Sequence, residues 1–177
     1  MNDLRRVFIA VNLPEAVRQG LEGLLAKIDA KKARPVERQN LHVTLKFLGY
    51  LPPQKVEETK EQLKALAEFR KFDAELQGVG EFGGRVLWVG MTKGAEELRQ
   101  LSAKLDEALG ITDERFHPHV TLARNKELNA AEIRQLLDEL GKVAGPWTFT
   151  VQSIDLMESR LSSKGPTYGL LFRQELA

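Results

Sequence analysis

The chain contains no cysteine, so disulfides and thiolate-bound metal centres are excluded. That absence fits a reducing compartment, and a cytoplasmic location is expected. An excess of charge of one sign is missing too: 26 Lys and Arg face 25 Asp and Glu, for a net charge of +1. A partner held only by a broad basic field is therefore not expected, and a nucleic-acid site has to be local and compact. No apolar run approaches the length of a membrane span. The first residues pass straight into a strand-like stretch, with no signal-peptide layout. No heptad pattern or spare apolar stripe is left for an oligomer, so a monomer with no membrane partner is expected. Histidine is scarce, with three among 177 residues.

The patterns that are present alternate between two periods. Residues 7–13 read as a buried strand, and Pro14 opens a helix over 14–32 with Val17, Leu21, Leu24, Leu25 and Ile28 at helical spacing. Residues 41–48 alternate apolar and polar and read as a strand, ended by Gly49 and Pro52-Pro53. A helix over 54–69 follows, then strands over 72–79 and 85–91, and a helix over 94–109. Residues 117–123 read as a strand, and 129–140 as a helix with Asn129 at its N-cap and Gly141 past its end. Two more strands are predicted over 147–157 and 167–173. Strands and helices mix without strict alternation, which gives an α+β class with mainly antiparallel sheet.

The tetrapeptide His-Val-Thr-Leu occurs twice, at 42–45 and 119–122. Two of the three histidines head these copies, and His117 precedes the second. On a strand, His and Thr of each copy share one face, while Val and Leu share the other. If the halves are related by an approximate two-fold, His42, Thr44, His119 and Thr121 converge on one small ligand. A neutral imidazole takes a proton, a protonated one gives it, and hydroxyls donate to anionic oxygens. Two imidazoles, two hydroxyls and no carboxylate suit displacement at phosphorus: a base on the entering oxygen, an acid on the leaving oxygen, donors on the others. The scheme needs no metal.

These motifs resemble the 2H phosphoesterase superfamily, and more closely its RNA 2′,3′-cyclic phosphodiesterase branch, also called 2′-5′ RNA ligases. The likeness includes Arg6-Val7-Phe8-Ile9-Ala10, Asn40-Leu41-His42-Val43-Thr44-Leu45-Lys46-Phe47-Leu48-Gly49, Phe116-His117-Pro118-His119-Val120-Thr121-Leu122-Ala123-Arg124 and Gly165-Pro166-Thr167-Tyr168. It implies one domain over 1–177, built of two pseudo-symmetric lobes with a central cleft and antiparallel sheets flanked by helices. It implies metal-independent opening of a 2′,3′-cyclic phosphate at an RNA 3′ end, with a 2′-phosphate as product and no cofactor. His42 then protonates the departing 3′-oxygen, His119 activates water, and Thr44 and Thr121 hold the non-bridging oxygens. Joining of a 5′-hydroxyl to the cyclic end is expected to use the same residues with acid and base exchanged. Recognition is expected to reach only a few terminal nucleotides, because a near-neutral chain cannot neutralise many phosphates.

Other side chains are read from strand phase. Arg124 occupies the position that the resemblance associates with the substrate phosphate, but it is out of phase with His119 and reaches the cleft only through a bulge or strand end. Lys46 is in phase with His42 and Thr44, so it serves RNA or solvent. Phe47 is in phase with Val43 and Leu45, which assigns it to the core. Tyr168 is a candidate for base stacking, Trp88 for packing, and Arg85 and Arg160 for a basic rim. His117 is a structural or supporting residue. It also leaves open a zinc hydrolase built on His42, His117 and His119, although Pro118 and the repeated threonines fit that scheme poorly. A phosphodiesterase for another small cyclic phosphate and a non-catalytic binder of RNA ends are further alternatives.

Overall fold

The computed structural model describes residues 3–112 and 115–177. In chain order the elements are β1 (Arg5–Asn12), α1 (Glu15–Leu25), β2 (Ala33–Pro35), a 3₁₀ turn (Arg38–Asn40), β3 (His42–Leu51), α2 (Pro53–Leu63), a second 3₁₀ turn (Lys64–Leu66), β4 (Phe72–Phe82), β5 (Val86–Lys93), α3 (Ala95–Leu109), β6 (His119–Asn125), α4 (Ala130–Gly141), β7 (Trp147–Val151), β8 (Ser153–Ser162) and β9 (Gly165–Glu175). This is the expected α+β class with antiparallel pairing. The sheet runs β7-β4-β5-β6-β3-β1-β8-β9, and β2 adds to β6. Its two halves, β7-β4-β5-β6 and β3-β1-β8-β9, meet at the fully buried pair Val43 and Val120.

The helices follow from local chemistry. α1 buries Val17, Leu21 and Leu24 on one stripe. α4 carries the predicted cap as a full capping box: Glu132 N–H donates to Asn129 Oδ1 at 3.0 Å, and Asn129 N–H donates to Glu132 Oε2 at 2.9 Å. α3 starts after Gly94, whose φ is +84° and where a Cβ would lie 2.8 Å from the Asp73 carbonyl oxygen. A side chain there would push β4 and α3 apart.

Several expected boundaries shift, among them the helix expected over 54–69, which ends at Leu63 and passes into the second 3₁₀ turn. The first helix stops at Leu25 rather than 32, because tightened turns lead the chain to β2, where Ala33, Arg34 and Pro35 pair with Asn125, Arg124 and Ala123. β3 continues through Gly49 to Leu51, since Gly49 takes φ +76° within a bulge against β1. The single strand expected over 147–157 is two strands on different sides of the sheet. β7 pairs with β4, β8 pairs with β1, and Gln152 alone separates them. The ends of the sheet therefore curl towards each other, and backbone bonds from Leu176 to Gln152 and from Ala177 to Phe69 tie them at 2.8 Å. Among the described residues no helix is long and apolar enough to cross a membrane.

Candidate active site

Both His-Val-Thr-Leu copies sit on the central strands, one on each side of the seam. Val43, Leu45, Val120 and Leu122 are buried, while His42, Thr44, His119 and Thr121 line one cleft of about 730 Å³. The two imidazoles are held in the same way. His42 Nδ1 lies 2.6 Å from the Asn40 carbonyl oxygen, and His119 Nδ1 lies 2.6 Å from the His117 carbonyl oxygen. A carbonyl only accepts, so each Nδ1 carries a proton and each Nε2 is left for chemistry. His42 Nε2 meets Thr44 Oγ1 at 2.8 Å. With a neutral imidazole, the hydroxyl is the donor in that bond.

Burial pushes the His42 imidazole below its ordinary pKa; the Asn40 carbonyl opposes the shift, and the charges of Arg18 and His119 add to it. Burial also lowers His119, opposed by the His117 carbonyl and helped by the His117 ring charge. Aromatic walls do much of this burying. Phe8 lies 5.1 Å from the His42 ring, and Tyr168 approaches it edge-on at 5.4 Å. Phe82 meets the His119 ring edge-on at 5.0 Å. Asn40 is itself buried and donates through Nδ2 to the Pro166 carbonyl at 3.0 Å, so the β8–β9 hairpin steadies the first histidine.

Two strand-phase expectations fail for one reason. Against β1, β3 skips Leu45: Ile9 pairs with Lys46 and Ala10 with Thr44. Against β5, β6 skips Leu122: Leu87 pairs with Ala123 and Trp88 with Thr121. Each bulge reverses the phase beyond it. Phe47, expected in the core, is 69% exposed and lines the cleft. Lys46, expected at solvent or RNA, is 2% exposed and pairs with Asp106 of α3 at 2.7 Å. Arg124 is carried onto the cleft wall by the second bulge.

The basic rim is also differently composed. Arg85 is exposed and absent from the cleft wall, and Arg160 pairs with Glu158 at 3.3 Å. Arg6, Arg34 and Lys164 line the cleft with Arg124, opposed among the described residues by Glu37 alone. Strand phase pointed to none of those three, because they belong to a strand start, a three-residue edge strand and a hairpin. Tyr168 lines the cleft as the base-stacking reading requires, and Trp88 packs against Phe82 and His117. His117 is exposed, and its ring lies 6.1 Å from that of His119. Among the described residues, no group of three His, Asp or Glu is spaced to hold a metal, so the zinc set of His42, His117 and His119 is not assembled.

The whole arrangement has close counterparts. The family model of the 2′-5′ RNA ligase superfamily matches residues 13–162. An Aeropyrum pernix protein named RNA 2′,3′-cyclic phosphodiesterase is 38% identical over 154 residues, covering 81% of this chain and 86% of its own. The solved structure of TT0787 from Thermus thermophilus superposes with a TM-score of 0.78 at 30% identity, over 96% of this chain and 97% of that one. Escherichia coli LigT, solved in complex with 3′-AMP, gives a TM-score of 0.80 at 26% identity, over 98% and 99%. With the paired motifs standing on one cleft and the match spanning most of its length, the chain belongs to the 2′-5′ RNA ligase superfamily.

Proposed function

We propose that the protein opens 2′,3′-cyclic phosphates at RNA 3′ ends to 2′-phosphomonoesters by two-histidine acid–base catalysis, acting as a monomer. The observation that carries this reading is the matched anchoring of His42 and His119, which leaves one Nε2 from each half for the same cleft. His119 takes the proton of the attacking water. His42 gives its Nε2 proton to the 3′-oxygen as the P–O3′ bond breaks, and the phosphate stays on O2′. Thr44 and Thr121 donate to the non-bridging oxygens. An incoming phosphate anion favours protonation of His42, against the burial that keeps it neutral in the free protein. The Thr44–His42 bond is then exchanged for two others: the hydroxyl turns to phosphate, and Nε2–H turns to the 3′-oxygen.

The expected exchange of acid and base in the joining reaction needs correction on chemical grounds. A 5′-hydroxyl attacking the cyclic phosphate stands where water stands, so each histidine keeps its role. The exchange belongs to cleavage of a 2′-5′ bond back to a cyclic end. Among substrates, RNA is favoured over a lone cyclic phosphate by the cleft itself. About 730 Å³ with Arg6, Arg34, Arg124 and Lys164 on its wall is more room and more positive charge than one phosphate requires.

Phosphorus NMR on a short RNA with a 2′,3′-cyclic end, in excess EDTA, tests the reading. A 2′-phosphate product is expected, with His42→Ala and His119→Ala each lowering kcat by at least about 10²-fold. Retention of most activity in either variant would remove the mechanism. A 3′-phosphate product would reverse which oxygen leaves.

A further inference from the structure

A second cavity, of about 340 Å³, lies against the first and shares Thr44, Phe47, Phe82 and His119 with it. The two histidines divide unequally between them. His42 borders the first cavity only, whereas His119 borders both. His117 and Phe116 border the second only, and Arg6, Arg34, Arg124 and Lys164 border the first only. The first cavity therefore carries four cations and the acid. The second carries the rings of Phe47, Phe82, Phe116 and His117, with the buried Lys46 and with Arg115, and shares the base. Phe82 faces the His117 ring edge-on at 5.3 Å on this shared wall.

In-line displacement at phosphorus brings the nucleophile in opposite the leaving oxygen. With the leaving 3′-oxygen at His42, the nucleophile enters on the side of His119, and of the two cavities there the one that His42 does not border is the second. We infer that this cavity is the acceptor subsite: it holds a nucleoside with a free 5′-hydroxyl, its base stacked among Phe82, Phe116 and His117. The inference rests on the two-histidine reading above. In the step it serves, the 5′-oxygen bonds to phosphorus and its proton passes to His119 Nε2. The P–O3′ bond breaks, and 3′-oxygen takes the proton of His42. The product is a 2′-5′ diester, and no other reactant is needed. Water uses the same entrance, so acceptor and water compete at one place.

The test is a partition measurement. Cyclic-ended RNA is incubated with an excess of 5′-hydroxyl RNA, and the ratio of 2′-5′-joined to hydrolysed product is read for wild type, His117→Ala and Phe116→Ala. Both products pass through His119, so a disturbance of that residue lowers both and leaves the ratio alone. Loss of the acceptor wall is expected to lower the ratio at least fivefold in each variant. An unchanged ratio, or hydrolysis by wild type with no joined product, would overturn the assignment. Absence of both products would instead remove the cyclic phosphodiesterase reading, and the subsite with it. Proton NMR gives a second readout that needs no variant. Adenosine added to protein loaded with a 2′-phosphate-ended oligonucleotide is expected to shift the His117 ring resonances, and a shift confined to Tyr168 in the first cavity would overturn the assignment.

Discussion

Phe47 and Arg124 occupy equivalent places in the two halves. Each stands three residues after its motif threonine, and each is turned onto the cleft by a bulge at the motif leucine. The two halves thus repeat a backbone irregularity, yet they deliver an aromatic ring on one side and a guanidinium on the other.

Arg124→Gln is predicted to raise KM for RNA with little change in kcat. Each phosphate neutralised on a single strand contributes about 0.7 to the slope of log affinity against log salt. Loss of one contact should make that slope shallower by about 0.7, read by titrating a non-hydrolysed 2′-phosphate-ended oligonucleotide at several salt concentrations. An unchanged slope would take Arg124 off the phosphate.

Thr44→Val and Thr121→Val are each predicted to lower kcat about 10²-fold, the scale of losing one donor to a developing charge. Thermal unfolding should be nearly unchanged, because neither hydroxyl is in the core. Unchanged turnover in both variants would show that the hydroxyls do not reach the phosphate.

The pH dependence follows from the direction of the two shifts. Both imidazoles are pushed below their ordinary value near 6.5 by burial. The singly protonated pair is therefore most populated on the acid side of pH 6.5, and the bell of kcat/KM should peak there, as a property of the coupled pair. The same shifts bear on stability. Above pH 6.5 the imidazoles are neutral in both folded and unfolded chains. As pH falls from there towards the folded-state values, the unfolded chain takes up protons that the folded one refuses, so Tm should drop. A kcat/KM maximum above pH 7.5 would contradict the direction of both shifts.

Lys46→Met is predicted to destabilise the fold by about 3 kcal/mol, because it removes one partner of an ion pair whose cation is buried. Urea unfolding measures this, and adding Asp106→Leu should restore much of the loss. No recovery in the double variant would mean that the loss does not come from the charge of Asp106.

The sequence was legible where the physics is periodic. The motif strands, the capped α4 and α3 follow from spacing of two or 3.6 residues, and the identity of His42, Thr44, His119 and Thr121 follows from repetition. Phe47 and Lys46 were misplaced because a bulge leaves no mark on a run such as Leu45-Lys46-Phe47-Leu48, where any phase offers an apolar face. Arg124 was reachable only as a conditional, and the condition is the bulge at Leu122. The break at Gln152 was invisible because neither glycine nor proline marks it; long-range pairing with β1 and β4 decides it. Arg34 depends on β2, three residues that become a strand only because β6 offers an edge. These are tertiary effects, and local pattern does not encode them.

The position of β1 has a consequence for synthesis. β1 is made before the strands that flank it, β3 and β8, and its Phe8 packs at 4.9 Å on Tyr168 of β9. Closing such a distant pairing is entropically slow. The cleft is therefore completed only after the β8–β9 hairpin docks, and a nascent chain made as far as β7 holds both motif strands without it. Until β9 docks, His42 lacks the Tyr168 edge that helps to bury it, and Asn40 lacks the Pro166 carbonyl that steadies it.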